Sequence, residues 1–252
     1  MRILVSNDDG IHAPGLSALA LALAEEHEVY VFAPDRERSA TGHSLTLNRP
    51  LRIEPHSLGG RVVQSWSVNG TPSDCIKIAL SAILSSPPDL VLSGINRGAN
   101  LGSDVIYSGT VSAAIEGTMN GIPSIAISLA SFDFQDYLPA ARFALSLANR
   151  MKMASLPPRT LLNVNVPPGN SPSEVRITRL GERRYLDIFE ERVDLRGRPY
   201  YWLSGELASC EEKPDSDVSA VAEGAISVTP IHYDLTHYDA MAPLQDWDFS
   251  PP

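Results

Sequence analysis

The sequence predicts an α/β protein: a Rossmann-like, doubly wound, mostly parallel sheet in a three-layer α/β/α arrangement, followed by a C-terminal extended or hairpin segment. Two observations carry this. In the first half of the chain, short Ile/Leu/Val-rich runs alternate with helical patterns, the signature of βαβ units and a parallel sheet. Those runs are also almost continuously apolar, as strands buried on both faces are, so helices are expected on both sides of the sheet.

The elements follow in order. Arg2–Ser6 reads as the first strand, and 7–10 as a turn. Pro14 and Gly15 then lead into a helix whose Leu16, Leu19 and Leu23 share one face. Residues 28–33 supply the second strand. Thr71-Pro72-Ser73-Asp74 is a helix start, with Thr as N-cap, Pro at the first helical position and an acid in the first turn. Ile76, Ala79, Leu80 and Ile83 continue its apolar face until Pro87 and Pro88 stop it. Residues 89–93 read as a third strand, 110–119 as a helix, 122–129 as a fourth strand and 139–151 as a helix leading to the strand Thr160–Val166. Beyond Pro168 the texture changes. Arg183, Arg184, Glu190, Glu191, Arg192, Asp194, Arg196 and Arg198 interleave with Tyr185, Tyr200, Tyr201 and Trp202, which reads as a hairpin. Residues 210–217 read as an exposed loop, 225–230 as one more strand, and the tail with Trp247 as a strap along the surface. The expected organisation is a Rossmann-like α/β core over 1–182, an extended hairpin segment over 183–224, and a final strand and strap over 225–252.

Composition narrows the classes of function. The chain has 252 residues, with 20 Lys and Arg against 30 Asp and Glu, a formal net charge of −10. That argues against a basic nucleic-acid binder, and no duplex binding is expected. The apolar run over 16–24, broken only by Ser17, falls short of the roughly 20 residues a bilayer span needs. Asn7, Asp8 and Asp9 interrupt the N-terminus too early for a signal peptide, so a cytoplasmic location is expected. Cys75 and Cys210 form no CxxC or Cys/His cluster, which points to two reduced, partly buried thiols.

In open α/β sheets ligands bind outside the carboxyl ends of the strands, so the loops after the first three strands are the place to look. The first holds adjacent carboxylates, Asp8 and Asp9, whose mutual repulsion a cation relieves. Taken alone, Asn7-Asp8-Asp9-Gly10 also fits an ordinary turn. The second, over 34–44, offers Ser39 and other hydroxyls with Arg36 and Arg38; the third, over 93–102, places Asn96 and Asn100 among glycines. Tyr107-Ser108-Gly109-Thr110 precedes a helix, where unpaired N–H groups form a natural phosphate seat, although Ser108 or Thr110 also reads as a plain N-cap. Convergence of these loops on one sheet edge describes an oxygen-only metal site beside an anion site, favouring Mg²⁺, Mn²⁺ or Ca²⁺ over zinc or copper. His12 and His43 flank the first two loops as surface or substrate-facing residues, and Arg36, Arg38 and Arg97 are candidates for anion capture. Glycine-rich dinucleotide, P-loop and Gly-x-Ser-x-Gly signatures are absent.

These residues resemble the SurE family of survival-protein nucleotidases. The motifs are Val5-Ser6-Asn7-Asp8-Asp9-Gly10, Ala33-Pro34-Asp35 with Arg38-Ser39-Ala40, Asn69-Gly70-Thr71-Pro72-Ser73-Asp74-Cys75, Ser93-Gly94-Ile95-Asn96 through Asn100-Leu101-Gly102, and Tyr107-Ser108-Gly109-Thr110-Val111. Leu162-Asn163-Val164-Asn165-Val166-Pro167, Ser216-Asp217 before Ala220-Val221, and Ile226-Ser227-Val228-Thr229-Pro230 extend the likeness over nearly the whole chain. The resemblance implies a metal-dependent phosphomonoesterase acting on nucleoside 5′- and often 3′-monophosphates, with short polyphosphate as a further substrate. It implies one divalent cation per subunit, Mg²⁺ or Mn²⁺, on Asp8, Asp9, Ser39 and Asn96, with Asp8 and Asp9 also catalytic. Asn100, Ser108, Gly109 and Thr110 would hold the phosphate. It further implies a homodimer or homotetramer built through an exchanged C-terminal segment. The competing readings are a non-catalytic nucleotide- or metal-binding module and a transferase that seats a cofactor on the third loop.

Overall fold

The computed structural model describes residues 1–249 apart from 135, 155, 170–173, 184, 208–212 and 248. The first βαβ unit is β1 (Arg2–Ser6), α1 (Pro14–Leu23) and β2 (Glu28–Pro34). β3 (Ile53–His56) and β4 (Gln64–Val68) follow, then α2 (Pro72–Ile78), which loosens into a π-helical turn over Ala79–Ile83. Next come β5 (Leu90–Arg97), α3 (Gly109–Met119), β6 (Ser124–Leu129), α4 (Leu138–Met151) and β7 (Thr160–Val166). The C-terminal part holds β8 (Val175–Ile177), β9 (Tyr185–Val193), β10 (Pro199–Leu207), α5 (Asp217–Ala222), β11 (Ile226–His232) and α6 (Tyr238–Gln245).

Nine strands form one sheet in the order β3-β4-β2-β1-β5-β6-β7-β11-β8. The pairs from β4 through β7 are parallel; β3 on β4 and β11 on β7 are antiparallel. Alternation along a strand sends successive side chains to opposite faces. Ile3 and Val5 therefore join the core under α1 and α4, while Leu4 joins Phe32, Cys75 and Ile76 under α2. All of these side chains are fully buried, which is why the strands read as unbroken apolar runs. Burial pushes the Cys75 thiol well above its ordinary range, consistent with a reduced core residue; Cys210 lies outside the described residues.

Three features differ from the sequence expectation. β3 and β4 carry Pro55, Ser65 and Ser67 in place of an apolar run, and Pro55 is tolerated because β3 is an edge strand. Ser216 and Asp217, expected in an exposed loop, are fully buried. Ser216 caps α5, and the Asp217 carboxylate accepts the backbone N–H groups of Gly102 and Gly181 at 2.9 and 2.8 Å, stapling the C-terminal part to the core. The tail forms α6, which buries none of its residues, where the sequence predicts no helix. The expected hairpin is present: β9 and β10 pair antiparallel as a separate two-stranded sheet.

Candidate active site

From β1 the chain steps outward to β2 and β4, then returns to lay β5 on the other side of β1. Loops leaving the carboxyl ends of β1 and β5 thus diverge and open a crevice between them. After β1, the Asn7 side chain closes the turn, donating from Nδ2 to the Gly10 carbonyl (3.0 Å) and accepting the Gly10 N–H (3.2 Å). Gly10 completes it at φ 99°, a conformation that favours glycine. Asn7 is thus structural, and the turn holds Asp8 and Asp9 at the crevice.

Asp8 is buried at 4% exposure against the N-terminus of α3. Its Oδ1 accepts the Thr110 hydroxyl at 2.5 Å, and the Gly109 and Thr110 N–H groups favour its charged form. Ser108 caps the helix by accepting the Val111 N–H at 3.1 Å. A Cβ on Gly109 would lie 2.7 Å from Asp8 Cβ and 2.9 Å from its Oδ2, so only glycine admits the carboxylate this close. Burial outweighs these donors and raises the Asp8 pKa. Asp9 is pushed up to about 6, first by burial and then by the charge of Asp8, against the Arg97 N–H that donates to its Oδ2 at 3.0 Å.

The other expected donors gather unevenly. The Arg38 N–H donates to the Asp8 carbonyl at 2.7 Å and draws the second loop to the first. The neighbouring Ser39 is exposed, and its hydroxyl donates to Glu37 at 2.6 Å rather than to Asp8 or Asp9. Asn96 precedes the Arg97 amide that holds Asp9 and donates from Nδ2 to the Gly98 carbonyl at 2.8 Å. Asn100 is buried, with its side chain donating to Ser128 Oγ (2.7 Å) and its carbonyl accepting from Asn163 and Asn165. Arg38 is engaged with Asp35 and the Asn69 carbonyl, while Arg36 and Arg97 are exposed. His12 packs edge-on against His56, and His43 donates to Glu116.

Two site residues escape the sequence reading. Glu37 and Tyr137, with Asp9, Pro14 and Arg97, line a cavity of about 270 Å³. Glu37 belongs to the loop after β2, so the strand-end rule covers it; Tyr137 precedes α4, and nothing in its local sequence marks it.

The donor set fits a hard divalent cation. Asp8 and Asp9 are adjacent, repel one another and have no lysine or arginine ion-pair partner among the described residues. Among those residues no cluster of three His, Cys, Asp or Glu side chains offers a metal site, so a cation there would need Asn or Ser oxygens as well. The crevice therefore combines a strained carboxylate pair with a helix N-terminus.

A sequence model of the family described as Survival protein SurE matches residues 3–187. A protein from Pelotomaculum thermopropionicum named 5′-nucleotidase SurE is 54% identical over 97% of this chain and 94% of its own. One of the same name from Synechococcus sp. (strain JA-3-3Ab) is 54% identical over 99% and 98%. The crystal structure of the SurE protein from Aquifex aeolicus superposes with a TM-score of 0.84 at 38% identity, covering 97% of this chain and 98% of that one. The match spans both flanks of the crevice, β1 with its carboxylates and α3 with its capped N-terminus, and the chain belongs to the SurE family.

Proposed function

We propose that this chain is a divalent-metal-dependent phosphomonoesterase that hydrolyses nucleoside 5′-monophosphates, and 3′-monophosphates and short polyphosphate as further substrates. The observation that carries the reading is the Asp8–Asp9 pair at the sheet's switch point, with Asp8 held at a helix N-terminus and neither carboxylate in a lysine or arginine ion pair among the described residues. Near relatives named as 5′-nucleotidases support the substrate class. Asp8, Asp9, Ser39 and Asn96 would hold one Mg²⁺ or Mn²⁺. When bound, that cation neutralises phosphate charge and acidifies a water.

The rest is the work of this chain's residues. Thr110 and the α3 N-terminus hold the Asp8 carboxylate in one position, which suits an anchoring role better than attack on phosphorus. Asp9, less buried and open to the cavity with Glu37 and Arg97, orients the attacking water and takes its proton. Ser108 accepts the Val111 N–H and keeps its own hydroxyl proton for a phosphate oxygen. With Gly109, Thr110 and Asn100 it forms the phosphate seat, where the helix dipole favours the charge that develops.

A homodimer or homotetramer accompanies this reading. The β9–β10 hairpin exposes Ile188, Phe189, Trp202 and Leu203, and an isolated two-stranded hairpin is marginal in water. No described helix is long and apolar enough to cross a membrane, and we place the activity in the cytoplasm.

The test is Asp9→Asn. Calorimetric titration should detect Mn²⁺ binding to the wild type and a loss of at least about tenfold in affinity in the variant, with turnover lost and the circular dichroism unchanged. A variant that keeps most of its turnover contradicts the assignment.

A further inference from the structure

We infer that Glu116 and His43 form a positioning pair that fixes the Ser39 loop against α3 and thereby sets the affinity of the site for cation and nucleotide, an inference that rests on the function proposed above. Glu116 is 3% exposed in its side chain and lies seven residues after Gly109. Seven residues are nearly two helical turns, so both positions lie on one face of α3, about 10 Å apart. The first contacts Asp8; the second receives His43 Nε2 at 2.9 Å from the loop that carries Ser39.

Among the described residues, few of that loop's own side chains anchor it to the rest of the chain. Its apolar side chains Leu45 and Leu47 are exposed, and it reverses direction through left-handed backbone at Ala40 (φ 54°) and Gly42 (φ 55°). Main-chain bonds secure it at Arg38 N–H to the Asp8 carbonyl, at Gly42 N–H to the Tyr107 carbonyl (3.1 Å), at the Ser44 carbonyl, which accepts the Thr71 hydroxyl (2.8 Å), and at Thr46 N–H to Asp74 (3.1 Å). Between Arg38 and Thr46, His43 is the side chain that reaches a buried charge, and it does so four residues from Ser39.

The pair is not required to satisfy Glu116. Lys77 Nζ donates to its Oε1 at 2.8 Å and Asn120 Nδ2 at 3.1 Å, so the carboxylate stays partnered if the imidazole is removed. Lys77 sits on α2, and its ammonium pairs with Glu116. Loss of His43 should therefore free the loop without unfolding the core, whereas loss of Lys77 should leave the loop in place.

The test compares His43→Ala, His43→Gln and Lys77→Met in the full chain by amide hydrogen exchange, Mn²⁺ titration and steady-state kinetics. His43→Ala should lose protection over residues 40–46, weaken Mn²⁺ binding and raise KM by about tenfold each, and leave kcat and the melting temperature close to wild type. His43→Gln, which retains a donor of similar reach, should recover most of the affinity, and Lys77→Met should match wild type. The inference is overturned if His43→Ala keeps wild-type affinity and KM, or if Lys77→Met produces the same losses. Wild-type protein that binds no Mn²⁺ would refute the metal reading instead, and unchanged exchange over 40–46 in His43→Ala would then refute the tie itself.

Discussion

At the level of single residues, the site is a conflict of charge kept in place by packing. Asp9 titrates at about 6 when folded and near 3.8 as a free side chain, so the metal-free folded state holds this proton more tightly than the unfolded chain. Its contribution to stability is present below about pH 4 and is lost as pH rises through 6, a change worth up to about 3 kcal/mol. His27, whose pKa burial lowers, contributes the opposite slope, so the informative quantity is a difference between variants. Chelator-treated Asp9→Asn should melt above chelator-treated wild type at about pH 7.5, with the gap closing towards about pH 4. A wild type that melts higher at neutral pH contradicts the unrelieved repulsion. Gly109 makes a second prediction. Alanine there drives a methyl into Asp8, and a displacement of about 1 Å at a reacting group costs about a hundredfold in rate. Gly109→Ala should lose about that much kcat/KM with its secondary structure intact. Asp8, Asp9 and Thr110 were legible as a group because adjacent acids and a helix start stand out in a sequence. Tyr137 was not, because it reaches the cavity only through the packing of α4.

Among the elements, α3 joins two loops of the site: its first residues meet Asp8, and Glu116 meets His43. Its start was legible because Ser108 and Thr110 are capping residues before a helical run, and the structure selects Ser108. α2 was equally legible: Thr71 accepts the Asp74 N–H while Asp74 accepts the Thr71 N–H, the reciprocal pattern that Thr-Pro-Ser-Asp encodes. β1 and β7 match their predicted bounds because their apolar runs end at polar or proline residues. β3 and β4 were not legible, since an edge strand needs little apolar character and takes its pairing from β2. Buried Asp217 follows the same logic. A polar stretch reads as exposed unless its partners are known, and those partners, the N–H groups of Gly102 and Gly181, are 115 and 36 residues away.

For the whole molecule, the nine-stranded sheet supplies a rigid edge, and we propose that the hairpin supplies association. Tyr200, Tyr201 and Trp202 alternate across β10 opposite Arg192, Glu191 and Glu190, so both faces of the hairpin carry aromatic and charged groups. Light scattering should give a dimer or tetramer for the wild type, and the double change Phe189→Glu with Trp202→Glu should shift it towards monomer; a monomeric wild type at micromolar concentration rejects that assembly. The net charge of −10 repels nucleotide at long range, so capture relies on the local field of the crevice. If this crevice turns over nucleotide with a divalent cation, phosphate release from 5′-AMP by chelator-treated protein, measured with and without added Mn²⁺, should be negligible without metal and restored with it. Intact 5′-AMP in the presence of Mn²⁺ that still raises the melting temperature would contradict that reading, leaving a site that binds without catalysis.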